Sequence, residues 1–277
     1  CNINCSYCYL DFTKCGKSNT KFSHSIPFIL RALSRKRLGG RAFFSVCSSG
    51  ETLLKPNYEE FAYGLLKDGH FLCTITNGVI TQKIKEMMAF PIEMRERMLF
   101  HFSLHYLELK KRNLLETYFD NVNFVSNQGA SVSMSLIGAD EYIPYIEEIK
   151  EISMKKTGAI PYVSAVRSST DYDFTGKFEI DSKLSWEEYM ETWKSFPGGS
   201  LNMRDGTRTK INIPCYAGIN SGFINIETGD LTSCVPGRSI DNIYDDIKKK
   251  INFLEKPHEC EWPFCSHNVY FRSEEHT

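Results

Sequence analysis

Short β-rich runs recur along this chain at an almost constant interval, and that rhythm restricts its fold more than any other feature. Phe43–Cys47 (FFSVC), Phe71–Thr76 (FLCTIT), Phe100–His105 (FHFSLH), Ser131–Ile137 (SVSMSLI) and Ile160–Val166 (IPYVSAV) begin 28, 29, 31 and 29 residues apart. A strand, a helix and two connections fill about 30 residues, so each step is one βα unit. The spacers carry helical apolar spacing: Phe61, Leu65 and Leu66 share a face of 58–67, and Ile146, Ile149 and Ile152 a face of 142–155. Gly39–Gly40, Gly69, Gly129 and Gly158 fall just before the next strand, where C-terminal helix caps belong. Repeated βα units imply a parallel sheet, either open or closed into a barrel.

The strand faces favour a barrel with a hollow middle. Ser45 and Cys47, then His101, Ser103 and His105, then Ser131, Ser133 and Ser135, then Tyr162 and Ser164 sit at alternating positions. Parallel strands covered on both sides read as near-continuous apolar runs, so a polar alternate face points into a cavity. An antiparallel sheet with one wet face is the other account of this alternation; the regular helical spacers argue against it. The expectation is an α/β fold, a partial (β/α)6 TIM-type barrel whose first strand lies before Cys1. The chain opens on Cys1 rather than Met, and the expectation is that it starts inside a longer natural chain. Residues 1–200 are expected to form the barrel domain and 201–277 a small hairpin-and-loop module, joined through Pro197–Gly199 and Asp205–Gly206.

Composition narrows the partners. With 277 residues and 42% hydrophobic content the chain can bury a large core, and its net charge of −1 provides no global field for nucleic acid or an anionic membrane. No apolar run approaches the roughly 18 residues of a membrane span. The ten cysteines concentrate at the two ends, with Cys1, Cys5 and Cys8 opening the chain and Cys215, Cys234, Cys260 and Cys265 closing it. A chain of this length does not need disulfide staples, so end-loaded cysteines point to metal sites in a reducing, cytoplasmic setting.

Cys1-Asn-Ile-Asn-Cys5-Ser-Tyr-Cys8 is C-x3-C-x2-C. Three thiolates on a tight loop can hold three corners of a [4Fe–4S] cluster, whose ordinary complement is four cysteines, leaving the fourth iron open. A zinc site with three cysteines and a distant fourth ligand is the alternative.

C-x3-C-x-Tyr-C resembles the signature of the radical S-adenosylmethionine (SAM) superfamily, whose members bind SAM through its amino and carboxylate groups at the open iron. The resemblance implies that Tyr7 packs near the adenine, ordinary loop packing being the plainer role. Ser48-Ser49-Gly50-Glu51 is similar to the family's Gly-Gly-Glu-Pro segment, which receives the methionine ammonium; Ser49 stands where the first glycine would be, and Thr52 replaces the proline. Thr76-Asn77-Gly78 is similar to a turn common in these barrels, which makes Asn77 a cofactor-binding candidate. Ser103 and Ser135 are positioned like family residues that touch the SAM ribose and carboxylate. His105 and Arg167, at strand ends, are candidates to face the substrate and an anionic group, although a lone histidine is more often structural.

Near the C-terminus, Cys215 leads into Phe223–Ile226 and then Gly229–Cys234, a hairpin turning at Glu227–Asp230. Cys260-Glu-Trp-Pro-Phe-Cys265 supplies two more thiols. The C-x13-Gly-x4-C element resembles the start of the SPASM and twitch modules that follow many radical SAM barrels and hold auxiliary [4Fe–4S] clusters. Four cysteines fit a twitch-like single cluster; a tetrahedral zinc site on the same four is the alternative. Cys15, Cys47 and Cys73 are left over as structural thiols, Cys47 sharing the lumen face.

The resemblance thus implies an enzyme that takes one electron from a flavodoxin or ferredoxin, splits SAM to a 5′-deoxyadenosyl radical and abstracts hydrogen from a peptide, protein or sugar-type substrate. The rival expectation is a non-catalytic iron–sulfur or zinc-binding scaffold or electron carrier.

Overall fold

A computed structural model describes residues 1–8, 21–166, 180–197, 214–234 and 237–259 of the chain. After α1 (Ile26–Ala32) and the short α2 (Arg35–Leu38), strands and helices alternate. They are β1 (Phe43–Val46), α3 (Tyr58–Lys67), β2 (Phe71–Thr76), α4 (Thr81–Met88), α5 (Ile92–Arg95), β3 (Met98–Ser103), α6 (Tyr106–Lys111) and α7 (Leu115–Asn127), then β4 (Ser131–Gly138), α8 (Ile146–Thr157), β5 (Tyr162–Ala165) and α9 (Trp186–Trp193). The five strands form one parallel sheet in the order β1-β2-β3-β4-β5, curled into a half-barrel. The rhythm of the sequence is therefore the rhythm of the sheet, and the antiparallel alternative is excluded.

Register explains the two faces. Leu72, Phe100, Phe102, Leu136 and Val163 alternate with the polar positions and are completely or almost completely buried, as parallel strands covered by helices require. On the opposite face His101 pairs in register with Ser133, and Ser135 with Tyr162. These side chains bond one another rather than standing bare: His101 Nδ1 is 2.8 Å from Ser133 Oγ, and Nε2 is 2.9 Å from Ser135 Oγ and 3.1 Å from the Tyr162 hydroxyl.

One helix differs from the expectation. The helical spacing over 142–155 is split into a 3-10 turn, Asp140–Tyr145, followed by α8. Pro144 lies inside the turn and has no N–H to give to the helical ladder, so the α-helix begins only beyond it.

The C-terminal residues form a separate antiparallel sheet of β6 (Phe223–Ile224), β7 (Asp230–Thr232) and β8 (Ser239–Asn242). The β6–β7 hairpin is the expected one; β8 adds a third strand. Two contacts fasten this sheet and its following loop to the half-barrel. Buried Arg37 donates to the carbonyls of Ala32, Ile243, Asp246 and Lys249 at 2.7 to 2.9 Å. Lys55 Nζ lies 2.6 Å from Glu227 Oε1 and over the Phe22 ring, while the Ser23 hydroxyl donates to the Glu227 carbonyl. Among the described residues no helix is long and apolar enough to cross a membrane.

Candidate functional site

The connection after β1 is shaped by Gly50. Its φ of +135° is a conformation side chains resist, and its N–H closes a tight turn on the Ser48 carbonyl at 2.7 Å. Glu51 follows at the head of a 3-10 turn (Thr52–Leu54) and is only 2% exposed. Its Oε1 accepts from the Leu53 N–H at 3.0 Å and the Thr76 hydroxyl at 2.7 Å; Oε2 accepts from the Asn77 N–H at 2.7 Å. Burial raises the Glu51 pKa, opposed by these hydrogen bonds.

A cleft opens at the C-terminal ends of β1, β2 and β3, where parallel sheets carry their sites. Cys1, Cys47, Ser48, Gly50, Glu51, Thr76, Asn77, Ser103 and His105 contribute to its walls. The half-barrel thus gathers Cys1, Ser48, Gly50, Glu51, Asn77 and Ser103, which the sequence singled out separately. Ser49, by contrast, is exposed beside the cleft, and Ser135 belongs to the His101 network one layer away. Arg167 lies outside the described residues. Cys47 is accessible within the cleft yet surrounded by protein, and that enclosure pushes its thiol pKa up.

The loop carrying Cys1, Cys5 and Cys8 is fixed by its other residues. Ile3 is wholly buried and its carbonyl accepts from Arg112 Nη2 at 2.6 Å. Asn2 Oδ1 accepts from Asn77 Nδ2 at 2.7 Å, and Ser6 Oγ donates to Glu141. Asn4 takes φ +60°, and the Cys8 N–H bonds the Cys5 carbonyl at 3.2 Å. Cys5 and Cys8 are free thiols. Burial, first of all, pushes the Cys5 thiol up to about 11, so it keeps its proton until a metal displaces it.

Among the described residues no group of three His, Cys, Asp or Glu is arranged to hold a single metal ion. A cubane binds each thiolate to a different iron and needs no such convergence on one point. The donor chemistry of this loop, three thiols with Cys1 on the cleft wall, fits a three-cysteine [4Fe–4S] cluster.

Tyr7 joins this loop to the sheet. Its hydroxyl is 2.6 Å from His105 Nδ1 and 2.8 Å from the Tyr142 hydroxyl. The ring stacks on His105, with centroids 6.0 Å apart, and meets Tyr142 edge-on. Burial lowers the His105 pKa to about 4, so the imidazole is neutral. His105 was a substrate-facing candidate in the sequence; it is also the partner of Tyr7. Tyr142 was only an uncommitted residue in a helical stretch, and no local pattern marks it.

In the small sheet, the backbones of Cys215 and His258 exchange hydrogen bonds at 2.7 and 3.0 Å. Gly218 takes φ +93° and approaches Ser233 so closely that a Cβ there would lie 3.0 Å from the Ser233 Cβ. The segments bearing Cys215 and Cys234 therefore come close at this point. Cys15, Cys260 and Cys265 lie outside the described residues.

No known family model and no curated protein matches this chain. Solved structures do. SuiB of Streptococcus suis bound to S-adenosylmethionine aligns over 89% of this chain and 61% of its own, at 12% identity and a TM-score of 0.57. SuiB bound to the precursor peptide SuiA aligns over 89% and 60%, at 13% identity and 0.55. The chain spans about three fifths of the length of these structures. At such identity the likeness establishes the fold: the half-barrel is similar to that of a protein crystallised with SAM.

Proposed function

We propose that this chain is a radical SAM enzyme, holding a [4Fe–4S] cluster on Cys1, Cys5 and Cys8 and acting on a peptide substrate. One observation carries the proposal: the cysteine loop, the Ser48–Glu51 turn, Asn77 and Ser103 line or adjoin one cleft at the C-terminal end of a parallel half-barrel. SuiB, whose fold is similar, was crystallised with SAM and with a precursor peptide, which supports SAM as the co-substrate and favours a peptide over a sugar.

When bound, the cluster supplies one electron, from a flavodoxin or ferredoxin, for reductive cleavage of SAM to methionine and a 5′-deoxyadenosyl radical that abstracts hydrogen. The protein's residues bind, orient and shield. Glu51 presents a buried carboxylate to the methionine ammonium, its oxygens aligned by Leu53, Thr76 and Asn77. Asn77 holds the cysteine loop in place through Asn2. Ser48 and Ser103 offer hydroxyls to the polar parts of SAM, and Tyr7 closes the adenine side. The polar face of His101, Ser133, Ser135 and Tyr162 continues the lumen in which the substrate lies away from bulk water.

We assign residues 1–200 to this barrel domain and 201–277 to a twitch-like module holding a second [4Fe–4S] cluster on Cys215, Cys234, Cys260 and Cys265. The adjacency of the Cys215 and Cys234 segments supports the pairing, and the cluster chemistry so assigned belongs in a reducing, cytoplasmic setting.

Anaerobic reconstitution with iron and sulfide, followed by SAM and dithionite, tests the enzyme directly. 5′-Deoxyadenosine is expected, and Cys5→Ala should abolish it while Cys234→Ala removes only a second cluster signal. An intact cluster that yields no 5′-deoxyadenosine would make the protein an electron carrier or scaffold instead.

A further inference from the structure

The hairpin between β6 and β7 is braced so that its tip holds one carboxylate in place. Gly229 takes φ +82°, and its N–H closes the turn on the Asn225 carbonyl at 2.7 Å. Asn225 Oδ1 accepts the Glu227 N–H at 3.0 Å, Asn242 Nδ2 donates to the Thr228 carbonyl at 2.9 Å, and the Tyr244 hydroxyl donates to the Ile226 carbonyl at 2.7 Å. From this fixed tip Glu227 reaches the half-barrel three times. Its Oε1 lies 2.6 Å from Lys55 Nζ, its Oε2 accepts the Ser23 N–H at 3.2 Å, and its carbonyl accepts the Ser23 hydroxyl at 2.8 Å.

Lys55 ends the segment that begins at Glu51. The Leu54 N–H bonds the Glu51 carbonyl at 3.2 Å, and the Lys55 N–H closes the 3-10 turn on the Thr52 carbonyl at 3.1 Å. Thr52 and Leu53 are buried, and the Leu53 N–H aligns Glu51 Oε1. The other two groups that align the carboxylate, the Thr76 hydroxyl and the Asn77 N–H, belong to the end of β2. The turn must therefore be set against β2 for all three to meet Glu51 together. The Lys55 side chain is 10% exposed, so its ammonium exchanges most of its water for the Glu227 carboxylate. Deprived of that partner, the ammonium regains full hydration only by moving the turn that carries it.

We propose that Glu227 is a positioning residue for SAM: acting through Lys55, the C-terminal hairpin sets the turn that presents Glu51, and the methionine end of the SAM site is complete only with the hairpin docked. The inference rests on the function proposed above and assigns to the small sheet a part in binding that is independent of any second cluster. By linkage, whatever factor the docked hairpin adds to SAM affinity, bound SAM adds to hairpin docking.

The test is calorimetric titration of the anaerobically reconstituted protein, iron counted in every sample, with two probes. One is SAM; the other is 5′-methylthioadenosine, which keeps the adenine and ribose and lacks the amino-acid chain. Glu227→Gln is expected to weaken SAM on the order of five- to tenfold and to leave 5′-methylthioadenosine unchanged. Lys55→Met should do the same, whereas Lys83→Met, which breaks the ion pairs to Glu59 and Glu86, should alter neither probe. In the wild type, SAM should slow amide exchange at Ser23, whose N–H Glu227 accepts. Unchanged SAM affinity in cluster-loaded Glu227→Gln and Lys55→Met overturns the coupling while the enzyme assignment stands. Equal weakening of both probes overturns it too, since it reports a general loosening of the fold. Should Glu227→Gln fail to load, or 5′-methylthioadenosine bind too weakly to read, Lys55→Met and the Ser23 exchange decide, and exchange indifferent to SAM overturns the coupling. A wild-type protein that loads its cluster yet binds no SAM overturns both this inference and the proposed function.

Discussion

The Asn77 backbone N–H donates to Glu51 Oε2 at 2.7 Å, and together with the Thr76 hydroxyl it ties the turn after β1 to the end of β2. Glu51 thereby serves as a joint between two strand ends as well as a cleft carboxylate.

Glu51→Gln separates these roles from simple bulk. Whichever way the amide is turned, its NH2 faces a backbone N–H, of Leu53 or of Asn77, that the carboxylate now accepts. One buried donor is orphaned, a cost of about 1–3 kcal/mol. Urea unfolding should register that loss, and calorimetric titration with SAM should show affinity falling about tenfold or more as the ammonium loses its charged partner. Unchanged SAM affinity would remove Glu51 from the binding site.

Gly78 is irreplaceable for a local reason. It adopts φ +77°, and an added Cβ would lie 2.8 Å from ring carbons of Phe102 and Tyr118. Gly78→Ala combines a left-handed backbone, about 1–2 kcal/mol, with overpacking of about 1–3 kcal/mol. A loss of roughly 2–5 kcal/mol is expected by urea unfolding, with a weakened Asn77–Asn2 contact reported by faster hydrogen exchange in the cysteine loop.

His101 predicts an acid limit to stability. Burial lowers its pKa from 6.5 to about 4, so between those values the unfolded chain binds a proton that the native protein refuses. The contribution is complete above about 6.5 and is lost as pH falls towards about 4. At about 1.36 kcal/mol per pH unit this amounts to roughly 3 kcal/mol. Unfolding free energies measured across that window should fall less steeply in His101→Gln than in the wild type; parallel curves would contradict the assignment.

Much of this was legible in the sequence because it depends on local periodicity. A βα step is written in consecutive residues, so the parallel strands followed from spacing and the two faces of the sheet from the alternation of polar and apolar residues. The Ser48–Glu51 turn was visible because glycine and carboxylate lie side by side. What stayed hidden was long-range: nothing near Tyr7 announces His105 or Tyr142, and nothing near Ser135 shows that His101 takes up its hydroxyl. Those pairings arise when the sheet curls and brings the strand ends together. Pro144 was in plain view, yet the apolar spacing around it outweighed the one missing N–H.

Lys55 and Glu227 offer a test of how the C-terminal sheet is held. The Lys55 side chain is 10% exposed and Glu227 40%, so the pair is only partly screened. Removing either charge should cost about 1–2 kcal/mol, less than a fully buried pair because Glu227 meets solvent. The double variant Lys55→Met/Glu227→Gln should cost less than the sum of its singles, because the second change removes a charge already left alone. Additive losses in urea unfolding would show that the two side chains do not depend on each other.

Arg37 carries a consequence for any attempt to cut this protein into parts. Its guanidinium sits in the half-barrel's first helical layer, yet three of the four carbonyls it serves belong to the stretch after β8. Trimming the C-terminal sheet would strip those acceptors and open to water a face of the barrel that is built to be covered. A shortened barrel would therefore inherit a defect at its own foundation, and the two ends of the polypeptide should melt as one.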